Sequence, residues 1–400
     1  MKKGIVLLTV ILASQLIAGQ DRYEEKLRAV ALSAGGNNVE AAAVLTGLIN
    51  TAPDRNLLLL RGDAYLRSGK VKEAKSDFMA AESMKQGSGL YGLAGCAAAG
   101  GDAKAAVSYL EAHLKSQYRK SEPEIMLDKS FSSIQSSPEW KILWKNEWYK
   151  GYERKSWEIE HYLKTGNTDL AEEVWRELSA VYSDMPVTEY YHARILMSRG
   201  LYRDAAALLA PLTTGPEAPA SYLTALAQAQ AGEGSYYAAA VAYGRLIDAE
   251  YPDPQLFLKR AAMLVKAGDR DRAKDDLETY LAINPDNSEA LGLIGKTYAE
   301  EGAIYEALPY LNMNIEKNPG EATAFSIRGD AWLAARTWDK AAEDYTMSLD
   351  LDPENAEVNL NLGIALINSG KTEDACHYLR KAKEQGNKDA TKYLSKYCIR

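Results

Sequence analysis

The sequence is poor in the residues that build metal sites, catalytic centres and dense disulfide frameworks. It has three cysteines and four histidines among 400 residues. The histidines, His113, His161, His192 and His377, are scattered, and none stands at metal-ligand spacing from another ligand residue. A phosphate-cradling glycine loop, a nucleophile elbow and an HExxH motif are also missing. The sequence therefore predicts a protein without enzyme activity, metal or cofactor.

Long hydrophobic runs are equally scarce. The one apolar run near the start, residues 5–12, follows two lysines and precedes the small residues Ala18 and Gly19. It is too short to span a bilayer and is typical of a secretory signal peptide covering residues 1–19. No cysteine follows the run, so we expect no lipoprotein anchor. We expect cleavage near Gly19/Gln20 and no integral membrane segment in the mature chain, with an uncleaved anchor as the alternative.

The chain also has fewer basic than acidic residues. It carries 47 lysines and arginines against 55 aspartates and glutamates, a formal charge of −8. Removal of Lys2 and Lys3 with the signal peptide lowers this charge to −10. An acidic surface disfavours general binding to nucleic acid or to anionic membranes. We therefore expect partners other than nucleic acid.

The most regular feature of the sequence is a period of 34 residues between positions 254 and 387. Counting from the first residue of each unit, small residues recur at positions 8 and 20, where two facing helices would approach closely. A proline near position 32 marks the end of the second helix, since it has no N–H to continue it. A fixed period of this length predicts a helix–turn–helix repeat. The recurring residues are Gly295, Gly329 and Gly363, then Ala273, Ala307, Ala341 and Ala375, and finally Pro285, Pro319 and Pro353.

This pattern resembles the tetratricopeptide repeat. The resemblance implies an all-α, right-handed superhelical solenoid built of about ten repeats. The main block keeps one phase from residue 152 onward, and a shorter block before residue 121 lies out of phase with it. The predicted organisation is a signal peptide at 1–19, three repeats at 20–120, a non-repeat spacer at 121–151, seven repeats at 152–387 and a capping helix at 388–400.

The spacer is the most aromatic part of the chain, and five of the seven tryptophans lie between residues 140 and 175. Trp140, Trp144 and Trp148 follow at intervals of four, which predicts one face of a single helix. Two interpretations are open: the tryptophans pack between the two repeat blocks, or they form an exposed patch that docks a partner. The spacer resembles one that follows short repeat blocks in exported proteins of Bacteroidota-type bacteria.

The last two cysteines are expected to lie close together. Cys376 falls on the second helix of the last repeat and Cys398 on the helix after it. An exported protein meets an oxidising compartment, so they form either a disulfide or a pair of buried thiols in contact. The same C-terminal stretch resembles the terminal segment of the exported bacteroidal group, which points to the periplasm, with secretion as the second choice.

Two Arg-Gly-Asp tripeptides, at 61–63 and 328–330, arise from the repeat pattern. Cell adhesion would need them on an exposed loop tip, whereas positions 7–9 lie inside the first helix of a repeat. We therefore expect a packing role for both.

Tetratricopeptide proteins line a concave groove with positions 2, 5, 9 and 12 of their first helices. The resemblance implies a groove for protein or peptide ligands. It lacks the residues that clamp a C-terminal carboxylate in some members, since Val30 stands where asparagine is needed. The predicted function is a periplasmic scaffold or adaptor for envelope complexes; a glycan-binding component of an outer-membrane uptake system is the alternative, and the oligomeric state stays open. The predicted groove residues are Tyr190, Arg194, Met197, Thr224, Gln228, Leu258, Lys296, Ser326 and Asp330.

Overall fold

The computed structural model describes residues 21–215 and 218–398, and within them every regular element is helical. The predicted signal peptide lies outside the described residues. The chain divides into two compact units, with the boundary between Leu256 and Phe257. The boundary falls near the start of a helix, directly after the three helix pairs that follow the spacer.

Unit 1 begins with a helix at 21–34, called α1. Its other helices are α2 Asn38–Thr51, α3 Arg55–Arg67, α4 Val71–Met84, α5 Leu90–Ala99, α6 Ala103–Leu114, α7 Glu122–Leu127, α8 Pro138–Leu143, α9 Gly151–Lys164, α10 Thr168–Tyr182, α11 Pro186–Ser198, α12 Tyr202–Leu212, α13 Ala220–Gly232 and α14 Tyr236–Asp248. Helix α15, Gln255–Ala267, crosses the boundary. Unit 2 continues with α16 Arg270–Ile283, α17 Ser288–Glu300, α18 Ile304–Lys317, α19 Ala322–Ala334, α20 Trp338–Leu351, α21 Ala356–Asn368, α22 Thr372–Glu384 and α23 Ala390–Tyr397.

Consecutive helices pair through the small residues of the 34-residue pattern. A Cβ on Gly329 would lie 2.8 Å from the Tyr345 ring, and one on Gly363 would lie 2.6 Å from Leu379 Cγ. Gly62 stands in the same relation to Phe78, at 2.7 Å. Real Cβ atoms do not approach so closely, so a side chain at any of these three glycines would displace the ring or leucine that faces it. The predicted close approach of paired helices is confirmed at these positions.

A repeated ion pair joins the two helices of three pairs. In each, an arginine guanidinium donates two hydrogen bonds to an aspartate 16 residues later, with Nε–Oδ2 distances of 2.8, 2.7 and 2.8 Å. The aspartates are buried, at 4–5% exposure, and the arginines half-buried. Two of these arginines belong to the Arg-Gly-Asp tripeptides and are therefore engaged within the fold. The pairs are Arg61–Asp77, Arg260–Asp276 and Arg328–Asp344.

The spacer corrects one prediction. Helix α8 ends at Leu143, so Trp140, Trp144 and Trp148 do not share a helix. The indole N–H of Trp148 turns back and donates to the Leu143 carbonyl at 2.8 Å, a carbonyl at the helix end that otherwise accepts only a long bond, 3.4 Å, from the Asn146 backbone N–H. The spacing of four residues between the tryptophans therefore does not reflect a shared helix.

The spacer tryptophans lie in a core cluster of unit 1. Trp140 is 4% exposed and packs 5.8 Å from the Phe131 ring, among buried residues of α5 and α6 such as Ala94 and Leu110. Trp144 and Trp148 are half-buried at the edge of this cluster, and Trp157 of α9 joins them. The spacer thus connects the N-terminal helix pairs to α9 through aromatic packing.

The first helix of unit 1 contacts a turn more than 200 residues later. Tyr23 Oη donates to the Tyr251 carbonyl at 2.8 Å, and Lys26 Nζ donates to the Glu250 carbonyl at 3.1 Å. In an ideal solenoid each repeat contacts only its neighbours. The stability of unit 1 therefore includes a term that links its two ends.

The C-terminal helix α23 covers the end of the last helix pair. Ala390 is buried, and Tyr393 and Leu394 pack against Leu379 and its neighbours. A disulfide joins Cys376 to Cys398, with 5.7 Å between the Cα atoms. Cys96, in unit 1, is a buried free thiol.

We expect the Cys376→Ser/Cys398→Ser variant to lose about 3 kcal/mol of unfolding free energy in unit 2, because the bond closes a loop of 22 residues. Chemical denaturation with and without reductant measures the loss. The reduced wild-type protein should match the variant. Equal midpoints for the oxidised protein and the variant would contradict the expectation.

Candidate partner-binding surfaces

Unit 2 contains an open groove of about 940 Å³. The first helices of three successive pairs, α15, α17 and α19, form it, together with the turns that precede α17 and α19. Its lining residues from these helices and turns are Ala262, Val265, Lys266, Asp286, Asn287, Ser288, Glu289, Gly292, Leu293, Lys296, Glu300, Asn318, Glu321, Thr323 and Ile327.

The floor of this groove is apolar and depends on Gly292. A Cβ at this position would lie 2.9 Å from Ile327 Cδ1, so any side chain here would displace Ile327. Val265 and Leu293 extend the apolar surface beside it. A floor of this kind can receive an apolar side chain of a bound segment.

Charged groups surround the floor. Lys296 is exposed and has no ion-pair partner within 4 Å among the described residues. Its charge acts on Asp330, one repeat later, which accepts hydrogen bonds from Tyr345 Oη at 2.6 Å and Asn361 Nδ2 at 3.2 Å. Burial raises the pKa of Asp330, while these hydrogen bonds and the Lys296 charge oppose the rise. Lys296 is thus available to pair with an acidic group of a ligand.

The predicted groove residues lie in both units and differ in how far they are exposed. Leu258 is 4% exposed and Tyr190 is 7% exposed, so both belong to the core and cannot meet a partner directly. Tyr190 is covered because its ring stacks 4.4 Å from Tyr222 in the next helix pair. In unit 2, Lys296 and Asp330 are exposed and Ser326 is half-buried.

In unit 1 the predicted groove residues are less available. Arg194 is held by Glu160, with Nη1 3.3 Å from Oε2, and donates to Tyr190 Oη at 2.9 Å. Met197 and Thr224 are half-buried, and Gln228 is exposed. Arg194 therefore holds the side chains of Glu160 and Tyr190, and these contacts leave it less available to a partner.

His113 illustrates the cost of burying a titratable group beside the spacer. It is 2% exposed, and its Nε2 accepts the Lys120 backbone N–H at 3.0 Å. Burial lowers the pKa of His113 from 6.5 to about 4, and the Lys120 charge adds to the effect. The ring is therefore neutral in the folded protein at neutral pH.

We expect unit 1 to lose about 2 kcal/mol of stability as the pH falls from 6.5 towards 4. The pKa of His113 is lowered on folding, so over this range the unfolded chain binds a proton that the folded chain does not. Denaturation across this pH range measures the slope. It should flatten in His113→Gln, which keeps an acceptor for the Lys120 N–H, but not in the exposed control His161→Gln. An equal slope in all three proteins would contradict this assignment.

The described residues contain neither a candidate metal site nor a candidate membrane-spanning helix. No cluster of three or more histidine, cysteine or carboxylate side chains could hold a metal ion there. Nor does any helix among these residues have the length and apolarity to cross a bilayer.

Comparisons with known proteins agree with the helix pairs. A tetratricopeptide repeat model matches residues 333–396, and another matches residues 59–121 and 258–322. The chain is 29% identical over 137 residues to a tetratricopeptide repeat and J domain-containing co-chaperone of Cryptococcus neoformans, a match covering 32% of this chain and 26% of that protein. It is 26% identical over 115 residues to BBSome complex member bbs-4 of Caenorhabditis elegans, covering 29% and 25%. The matched part thus spans about a quarter of these curated relatives.

A solved structure extends the similarity in fold. A tetratricopeptide repeat protein from Parabacteroides merdae superposes with a TM-score of 0.51, covering 62% of this chain and 98% of that one at 18% identity. At this identity the match shows the fold alone. The family models, together with the closely packed helix pairs, identify tetratricopeptide repeats at residues 59–121, 258–322 and 333–396.

Proposed function

We propose that the protein is a non-enzymatic periplasmic scaffold that binds a polypeptide segment in the groove of unit 2. Tetratricopeptide repeat proteins are in general protein-interaction scaffolds, and the groove supports that role here. The observation that carries the proposal is the combination of an apolar floor at Gly292 with an unpaired cation, Lys296, beside it. The bound segment places an apolar side chain on the floor and an acidic group near Lys296. A role in assembling or regulating envelope complexes fits the predicted export of the chain.

The proposal is tested by crosslinking the mature protein in cells and identifying captured envelope proteins by mass spectrometry. Two groove variants, Lys296→Glu and Gly292→Leu, should each reduce recovery of the captured partner at least about tenfold, since one reverses the charge and the other fills the floor.

The matched control is Lys340→Glu in the same unit. Lys340 lies on the second helix of a pair, over the Trp332 ring at 4.3 Å, and does not line the groove. Recovery should be unchanged in this variant. Unchanged recovery in both groove variants would overturn the proposed site, and failure to enrich any protein over a control strain would overturn the scaffold function.

A further inference from the structure

The helices of unit 1 form a closed series of contacts. Ala29 packs α1 against α2, and consecutive helix pairs contact one another from there to α14. The aromatic cluster of the spacer bridges the break between α6 and α9. The turn after α14, residues 249–254, returns to α1 through the hydrogen bonds of Tyr23 and Lys26. A solenoid in which each repeat contacts only its neighbours is open at its ends, whereas unit 1 is closed at this contact.

The two α1 side chains that close unit 1 are well covered. Tyr23 is 7% exposed, and its hydroxyl donates to the Tyr251 carbonyl at 2.8 Å. The Lys26 side chain is 15% exposed, a low value for a lysine. Its Nζ donates to the Glu250 carbonyl at 3.1 Å and lies 3.6 Å from the Glu250 carboxylate. Two side chains of α1 thus satisfy two successive carbonyls of the turn.

The turn itself adopts a conformation that its sequence does not favour. Glu250 has a φ of 50°, in the left-handed region that favours glycine. Among the described residues, the other positive φ angles between helix pairs belong to glycine, as at Gly87. The Tyr251 N–H caps α14 by donating to the Leu246 carbonyl at 3.0 Å, and α1 then holds the carbonyls of Glu250 and Tyr251. A strained residue persists where its surroundings hold it, so part of the strain at Glu250 is held by α1.

We propose that this contact is a latch, which opens and closes while the helix pairs of unit 1 stay folded. The latch consists of Tyr23 and Lys26 on α1 and of Glu250 and Tyr251 in the turn. Two hydrogen bonds and an ion pair to a largely exposed carboxylate favour the closed form by about 10- to 100-fold, so roughly 1–10% of molecules are open. The helix pairs are held by buried side chains, which a contact of this strength does not separate. The latch therefore controls whether the surface enclosed by unit 1 can be reached from the side.

The latch lies in unit 1 and goes beyond the proposed function. None of its four residues lines the groove of unit 2. Its test can therefore fail while the groove of unit 2 stands, and the reverse also holds.

The test measures the distance between α1 and α14 in the mature chain by double electron–electron resonance. Arg28 and Asp248, which are exposed on the two sides of the latch, are replaced by genetically encoded residues that carry nitroxides, so the native cysteines stay unlabelled. We expect the native protein to show one main distance and a minor, longer one. Tyr23→Phe/Lys26→Met keeps the ring and the aliphatic stem but removes the hydroxyl and the charge. In this variant the ratio of open to closed molecules should rise at least about tenfold.

The matched control is Tyr65→Phe/Lys70→Met in the same unit. Lys70 Nζ lies over the Tyr65 ring at 5.7 Å, as Lys26 Nζ lies over the Tyr23 ring at 5.3 Å, but this pair is not part of the latch. Its distance distribution should match that of the native protein. An unchanged distribution in the latch variant would overturn the proposal.

Hydrogen exchange separates opening from unfolding in the latch variant. Protection in α3 and α10 should equal that of the native protein, because opening leaves the cores of the helix pairs intact. Loss of protection in both helices would show that the contact opens only when unit 1 unfolds, and it would contradict a latch.

Discussion

Replacing Asp344 by alanine is expected to remove about 3 kcal/mol from the stability of unit 2. The change leaves the half-buried guanidinium of Arg328 without the two hydrogen bonds, at 2.7 and 2.8 Å, that satisfy it. Arg328 retains its contact with Asn312, so the loss is smaller than for a fully orphaned charge. Chemical denaturation followed by hydrogen exchange measures the loss and shows whether it falls on α19 and α20.

A matched control is the neighbouring exposed residue Glu343, which forms no ion pair among the described residues. Glu343→Ala should change the stability by less than about 0.5 kcal/mol. If Asp344→Ala were equally mild, the three Arg–Asp pairs would be comparable to ordinary surface ion pairs, which contribute about 0–1 kcal/mol. The repeated bidentate geometry would then have no stabilising role.

Replacing Trp140 by alanine is expected to cost unit 1 about 3–5 kcal/mol. The indole is 4% exposed and contacts the Phe131 and Trp144 rings at centroid distances of 5.8 Å, so its loss leaves a cavity in the cluster that joins the spacer to α9. Because the chain contains two compact units, hydrogen exchange is needed to localise the effect to unit 1. Protection should fall in α5, α6 and α9.

The same short helix supplies the control for this variant. Ile142 is 60% exposed, and Ile142→Ala should change stability by less than about 0.5 kcal/mol. A Trp140→Ala protein that melts with the wild type would show that the tryptophan does not pack in the core. It would restore the interpretation that the spacer tryptophans form a docking patch.

The 34-residue period predicted the helix pairs because its constraint is local and repeated. The residues that face Tyr345 and Leu379 must be small, as Gly329 and Gly363 are. The same requirement recurs in each helix pair, so small residues recur at the same position of each repeat. The bidentate pairs were not predicted, although Arg and Asp recur 16 residues apart in three repeats. That recurrence was the signal that could have revealed the pairs, but only the packed helices show that the side chains meet.

The two errors have different physical causes. The tryptophan helix was wrong because spacing alone does not show that α8 ends after six residues. Tyr190 and Leu258 were assigned to an exposed groove by their positions in the repeat. The repeat position of a residue, however, does not show whether the next helix pair covers its side chain. Stacking of Tyr222 on Tyr190 is such a contact between repeats.

The most direct test of the groove in unit 2 is site-specific photocrosslinking in living cells. A photoreactive phenylalanine analogue is placed at Thr323, which is exposed and lines the groove, or at Tyr305, which is 84% exposed and lies outside it. We predict a discrete crosslinked partner from position 323 and none from position 305. A partner captured from position 305 but not from position 323 would contradict the assignment of the groove as the binding surface.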